Sequence, residues 1–289
     1  MANLQNLIDI DLDFYRENND DLRGLCDAAL RNHYFEFGYD EGRVSHPLAK
    51  REPFIFSLGN VKTLEIGPFV TPLLRHDKMQ YVDILSKKEL VERAEKIGLC
   101  ANQAVDIDFV SKNGRLEMIQ EKFQIVTSSH NLEHQPDLIS HLNEVSSLLE
   151  DDGKYVMIVP NSMYCFDADL PRSKISEIFN AHRDKRTVHT LGSTIEHSAL
   201  TTHNDCSAHW SNRERSRYKC LDPDRISNAI KAFNSAEGSY IDVHAWQFEP
   251  YSLSDILDVL IRLEFIDFNK ISCRGPVYGT FEFTVELYK

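Results

Sequence analysis

Seven ionisable residues of one kind of use crowd a single stretch of this chain. Between Ser162 and Ala245 fall His182, His189, His197, His203, Asp205, His209 and His244. An imidazole titrates near neutrality and is the natural group to take a proton from a hydroxyl at physiological pH. An aspartate close by can fix its tautomer. His203 with Asp205, His197, and His244 from the far end of the stretch are therefore the candidate catalytic residues. Read as metal ligands, the same residues show no standard spacing, and no metal ligand is assigned.

A second constellation lies upstream in KTLEIGPFV (Lys62 to Val70). It reads as a buried strand ending in an acid, Glu65, and one glycine, Gly67, followed by Pro68. A glycine there lets a ligand approach the backbone with no Cβ in the way. Glu65 can accept hydrogen bonds from an ammonium or hydroxyl group. A dinucleotide site would show G-x-G-x-x-G, because a diphosphate has to lie against the backbone. Here Pro68 and Pro72 stand where further glycines would fall, which points to a nucleoside-bearing cofactor without a diphosphate. Asp83 follows near the end of MQYVDIL, at about the spacing of ~20 residues at which an acid reaches a ribose diol. A polar mouth, SSHNLEHQPD, holds Ser129, His130, Glu133 and His134. The i, i+4 pair His130 and His134 would suit a metal on a helix, but no third ligand is evident. His130 is read as lining the cleft, with Glu133 and His134 orienting the loop.

The elements that must position these groups alternate. From Val61 onward strand and helix signals take turns, the sign of a parallel sheet with crossover helices. Strands are expected at residues 79–85, 104–110, 122–130 and, after a turn at Asp152-Gly153, 154–160. An amphipathic helix, PDLISHLNEVSSLLE, precedes the last of these. Near the end, a helix with Leu253, Ile256, Leu257, Leu260 and Leu263 on its inner face leads into two closing strands. Residues 1–50 read as a helical arm (Asp11 to Arg23, Asp27 to Phe37, with Gly38 as a C-cap), either capping one edge of the core or serving as a docking module. The resulting division is 1–50 arm, 51–161 with 246–289 core, and 162–245 insertion.

Composition narrows the class. The 289 residues carry a formal net charge of −13, which disfavours binding to a nucleic-acid backbone. No apolar run reaches the ~18 residues of a membrane span, and the first residues do not read as a signal peptide. Six scattered cysteines read as reduced thiols of a cytoplasmic protein. Two basic runs, HRDKR (182–186) and NRERSRYK (212–219), suit either a phosphate or a solvated helix face. Trp210 and Trp246 suit either a sugar platform or the core.

LEIGPFVTPLL, YVDIL, FQIVTSSHNLEHQPDL and LLEDDGKYVMIVPN, in this order across residues 58–161, resemble class I S-adenosylmethionine-dependent methyltransferases. The resemblance implies a Rossmann-like seven-stranded α/β sheet with S-adenosylmethionine as cofactor. Glu65 and Gly67, with Pro68 beside them, would lie by its methionine end and Asp83 at the ribose. Ser129 and His130 would border the methyl-transfer cleft, and Asn113 in SKNGRL would replace the acid that contacts adenine. The insertion is similar to a bacterial branch associated with glycosyltransferases of surface polysaccharides, although Pro160-Asn161-Ser162-Met163 lacks the arginine of that branch's P-D-x-R pattern. FYRENNDDLR followed by HYFEFGYDEGR resembles a helical module that accompanies such glycosyltransferases. The implied function is O-methylation of a sugar hydroxyl in a surface glycan or sugar-nucleotide precursor, with a glycosyltransferase complex formed through the arm. The alternatives are a non-catalytic cofactor-binding partner in polysaccharide assembly and a metal-dependent hydrolase using the insertion histidines.

Overall fold

The computed structural model describes residues 7–211 and 220–289; the run NRERSRYK lies outside the described residues. Seven strands form one sheet: β1 (Thr63–Ile66), β2 (Met79–Asp83), β3 (Phe109–Val110), β4 (Phe123–Ser129), β5 (Leu149–Pro160), β6 (Lys270–Arg274) and β7 (Glu282–Tyr288). Their order is β3-β2-β1-β4-β5-β7-β6. The first five pair in parallel, and β7 runs antiparallel to both β5 and β6. The seven-stranded α/β sheet expected from the sequence is the one observed. Strand order reverses between β1 and β4, and a reversal of this kind opens a crevice at the strands' carboxyl ends.

The helices in chain order are α1 (Leu12–Glu17), α2 (Asp27–His33), α3 (Tyr39–Glu41), α4 (Arg51–Phe56), α5 (Lys87–Lys96), α6 (Leu138–Leu148), α7 (Ile175–Arg183), α8 (Leu191–Ile195), α9 (Cys206–Ser211), α10 (Pro223–Ser235) and α11 (Pro250–Arg262). Among the described residues, no helix is long and apolar enough to cross a membrane. Side chains alternate across β5 and sort the core into two layers. Tyr155, Met157 and Val159 join the cluster under α6 and α11, whereas Val156 and Ile158 meet Phe54 and Leu58 at α4. α11 starts on a reciprocal cap between Glu249 and Ser252 with Pro250 in its first turn, and buries Leu253, Ile256, Leu257 and Leu260. Each such side chain is worth about 1.5–3 kcal/mol when fully buried, against about 1 kcal/mol for a cap; burial sets where this helix lies. Leu263 was expected on the same face but follows the last turn and is exposed.

Two strand expectations are corrected. Only Phe109–Val110 of the stretch 104–110 pairs with β2, because the Asp108 carboxylate accepts the Tyr81 N–H at 2.8 Å. A side chain there replaces the main-chain acceptor that would extend the ladder. The Asp152-Gly153 turn is an irregularity inside β5, between Leu149 opposite Phe123 and Lys154 opposite Ile125.

The arm caps the β6 edge and is continuous with the core. Tyr15, Leu22, Leu30 and Tyr34 are fully or almost fully buried in the main cluster. The Asp9 N–H donates to the Cys273 carbonyl at 2.8 Å and the Tyr278 N–H to that of Gly42 at 2.8 Å. Gly38 is not the C-cap: the helical path continues through it, and Gly42 takes the left-handed conformation (φ 69°) instead. Gly38 is required for packing, since a Cβ there would meet the Tyr15 hydroxyl at 2.1 Å.

The insertion supplies α7 to α10 and returns along a segment without helix or strand, residues 240–249. The Ala245 and Trp246 N–H groups both donate to the Glu133 carbonyl, at 2.7 and 3.1 Å. The Trp246 indole donates to the Gln135 carbonyl at 2.7 Å.

Candidate active site

A cavity of about 290 Å³ opens where β1, β2 and β4 end. Four of the sequence candidates wall it: Gly67, Asp83, Asn113 and His130. Gly67 has φ 68°, and a Cβ on it would sit 2.9 Å from the Asn131 amide nitrogen. A larger residue there would be strained in this turn and would have to displace the Asn131 side chain. Burial raises the Asp83 carboxyl above its ordinary range, opposed by the amides of Leu85, Ile84 and Phe69 and by Arg93. Asn113 is held by Ser111 and by the Arg115 N–H at 3.0 and 3.1 Å. His130 leaves β4 with φ 50°, a conformation uncommon outside glycine and often tied to a site. Its Nε2 lies 3.0 Å from a Glu282 carboxylate oxygen, which fixes the ring. Burial works against the charged Glu282, but His130 and Arg51 outweigh it and hold its pKa low.

Glu65, Pro68 and Ser129 lie outside the cavity wall. Glu65 points away from the crevice: its Oε1 accepts the Leu73 N–H at 2.8 Å, so it clasps the loop that carries Gly67. Pro68 turns that loop, its carbonyl accepting the Thr71 N–H. Ser129 ends β4 in register with Ile158.

The catalytic candidates separate into two groups. His203 and Asp205 do not meet His244. Asp205 accepts the Ala208 N–H at 3.0 Å as α9 begins, and His203, exposed, stacks on His209 with ring centroids 4.2 Å apart. Short-range capping uses up both residues. His244 instead pairs with Asp167, Nδ1 to Oδ2 at 2.7 Å. Its N–H donates to His197 Nδ1 at 3.1 Å, so His197 supports it from behind. Glu133 and His134 complete the group: each histidine has its Nε2 near Glu133 Oε1, His134 at 3.7 Å and His244 at 3.8 Å. Burial disfavours a charge on His244, yet Asp167 and Glu133 carry its pKa upward. Burial raises that of Glu133. Burial and the neighbouring His244 keep His134 neutral.

Cavity and cluster meet at His134 and Asp242, where the returning segment closes the mouth. Asp242 faces His134 Nδ1 at 3.3 Å and pairs with Arg93 of α5, whose guanidinium lies over the Phe69 ring. Sequence reading had Glu133 and His134 only as loop-orienting residues and missed Asp167 and Asp242. Asp167 in FDADL is buried, a place where a carboxylate needs a partner, whereas Asp242 in IDVH is exposed and precedes the buried Val243. Trp210 and Trp246 are both buried. Trp210 stacks on Tyr164 at 3.7 Å, so neither ring is a sugar platform. His182 of the HRDKR run caps Asp137 at 3.2 Å and Arg183 pairs with Asp184, the arrangement of a solvated helix end.

The site thus defines an α/β protein with a nucleoside-sized cleft at the reversal of strand order. No family model matches the chain, and no curated protein matches it. Similar solved structures include the DhpI–SAH complex, 13% identical, with a TM-score of 0.40 over 99% of this chain and 97% of that one. A S-adenosylmethionine-dependent methyltransferase from Mesorhizobium loti is 13% identical, with a TM-score of 0.40 over 83% and 98%. A protein provisionally named an O-methyltransferase, from Nostoc punctiforme PCC 73102, is 13% identical with a TM-score of 0.37 over 82% of this chain, which spans only 55% of that one. At these scores the likenesses carry no argument, and the chemistry rests on the residues of this chain.

Proposed function

We propose that the protein is an S-adenosylmethionine-dependent O-methyltransferase acting on a sugar hydroxyl of a surface glycan or its precursor. The observation that carries the reading is the cavity at the reversal point, with Gly67 leaving room at the backbone and Asp83 presenting a carboxylate. An acid at the end of β2 suits a ribose diol. A single glycine, with no glycine-rich turn, suits a cofactor lacking a diphosphate. When bound, the cofactor supplies a methyl group on a sulfonium, ready for in-line attack. The chain's own task is to hold the acceptor oxygen against that methyl group and to take charge off the hydroxyl as the C–O bond forms. The Glu133–His134–His244–Asp167 cluster is placed for that task, because His134 belongs to the cavity wall as well. The sugar, and a glycosyltransferase partner at the arm, rest on the resemblance of the insertion and the arm in sequence.

Calorimetric titration with S-adenosylmethionine tests this. One equivalent should bind, and Gly67→Ala and Asp83→Ala should each weaken binding by about tenfold or more, roughly 1.4 kcal/mol. Absence of heat with wild-type protein refutes the reading. Release of S-adenosylhomocysteine with a glycan acceptor then separates an enzyme from a cofactor-binding partner without turnover.

A further inference from the structure

We infer that Glu133, His134 and His244 form a binding site for one divalent transition-metal cation, of the class that takes imidazole and carboxylate ligands together. One ligand atom from each residue lies within 4.8 Å of the other two. Both imidazoles turn Nε2 toward one oxygen, Glu133 Oε1, at 3.7 and 3.8 Å. Those separations are too long for hydrogen bonds. They are a few tenths of an ångström above the ~3–3.5 Å between neighbouring ligands of an ion whose bonds are about 2.0–2.1 Å long, and with the three ligand atoms spread over as much as 4.8 Å the side chains draw together as the ion binds.

Three further observations point the same way. Glu133 is 1% exposed, and neither of its carboxylate oxygens has a hydrogen-bond partner. A buried carboxylate left so is costly unless a cation meets it. His244 turns its other nitrogen to a second acid, Nδ1 to Asp167 Oδ2 at 2.7 Å, whereas His134 Nδ1 has Asp242 at 3.3 Å without a hydrogen bond. Metal-binding histidines are oriented by a carboxylate in this way, which fixes the free Nε2 toward the ion. Finally, the neighbouring histidines are already engaged through one nitrogen each, His197 by the His244 N–H and His189 by the His134 carbonyl. The three residues whose ligand atoms come together are two imidazoles and one carboxylate, an arrangement that leaves coordination positions open.

This inference rests on the proposed methyl transfer only for the use of the open position. His134 borders the cavity, so an acceptor hydroxyl can bind there and be acidified by the ion. Occupancy of the site does not depend on that reading.

The test strips the full-length protein with chelator and titrates it with CoCl2, following the visible d–d bands of the bound ion, then displaces the cobalt with ZnCl2. About one equivalent should bind. Glu133→Gln and His134→Asn should each lower cobalt affinity by more than about tenfold, while His203→Ala, at the surface, should leave it unchanged. If Glu133→Gln lacks a cooperative unfolding transition, His134→Asn decides. Failure of the wild type to take up cobalt, or wild-type affinity in the folded variants, overturns the inference. S-adenosylmethionine titrated into the metal-free protein separates the two proposals. Cofactor heat without cobalt uptake removes only the metal site; cobalt uptake without cofactor heat removes only the methyl-transfer reading.

Discussion

Glu65 shows how a single side chain can serve the site without touching it. Burial pushes its pKa up to about 7, and the Leu73 and Leu74 amides only partly offset that. The folded protein therefore holds this proton over a pH range where the unfolded chain has released it. Stability from this group is fully present below the ordinary carboxylate range and is lost as pH rises toward 7, by at most ~3 kcal/mol. Glu65→Gln should keep the acceptor for Leu73 and remove the titration. Its Tm relative to wild type should then climb between pH 5 and pH 8; a constant difference would mean that the carboxyl is not buried as described. In sequence the same residue reads as a ligand contact, because a strand-end acid before a glycine looks alike whether it faces the crevice or the loop. Gly67 and Asp83 were legible because backbone room and a strand-end carboxylate are local properties.

The returning segment 240–249 is the element that assembles the site. Main-chain bonds to Glu133, the Trp246 indole on Gln135, the His244–Asp167 pair and the Gln247 N–H on Ser173 hold it, with the Arg93–Asp242 ion pair at the mouth. Arg93 lies on α5, whose own reciprocal cap between Ser86 and Glu89 is independent of the contact. Arg93→Ala should accordingly speed amide exchange at residues 240–245 and leave the main unfolding transition within about 1 kcal/mol of wild type, as for a largely exposed ion pair. Unchanged exchange would show that the remaining bonds hold the segment without the ion pair. The strands and helices of the core were legible because apolar periodicity reports burial within one element. The His244–Asp167 pair was not, since its members lie 77 positions apart in the chain. The more tempting neighbour Asp205 is spent on the start of α9.

For the whole molecule, the arm decides what counts as a domain. A module that merely accompanies the core could be removed, yet Tyr15, Leu30 and Tyr34 are 0% exposed, and Tyr39 stacks on Tyr251 of α11 with centroids 4.2 Å apart. Tyr34→Ala should destabilise the protein by about 3–5 kcal/mol, the cost of emptying a large aromatic site, measured by urea unfolding. Removal of residues 1–45 should abolish the single cooperative transition. An intact transition after that deletion would return the arm to the status of an appendage. The helices of the arm are evident from the sequence, but their burial is not: short amphipathic helices look the same whether they dock on a partner or on their own core.

One carbonyl, that of Glu133, receives two N–H groups of the returning segment, those of Ala245 and Trp246, while the side chain of the same residue lies at the centre of the acid–imidazole cluster. Lifting the segment to exchange ligands therefore pulls on the residue around which the cluster is arranged. Main chain and side chain of one residue thus tie the segment's seat to the cluster's centre, so that a shift in either is felt by the other.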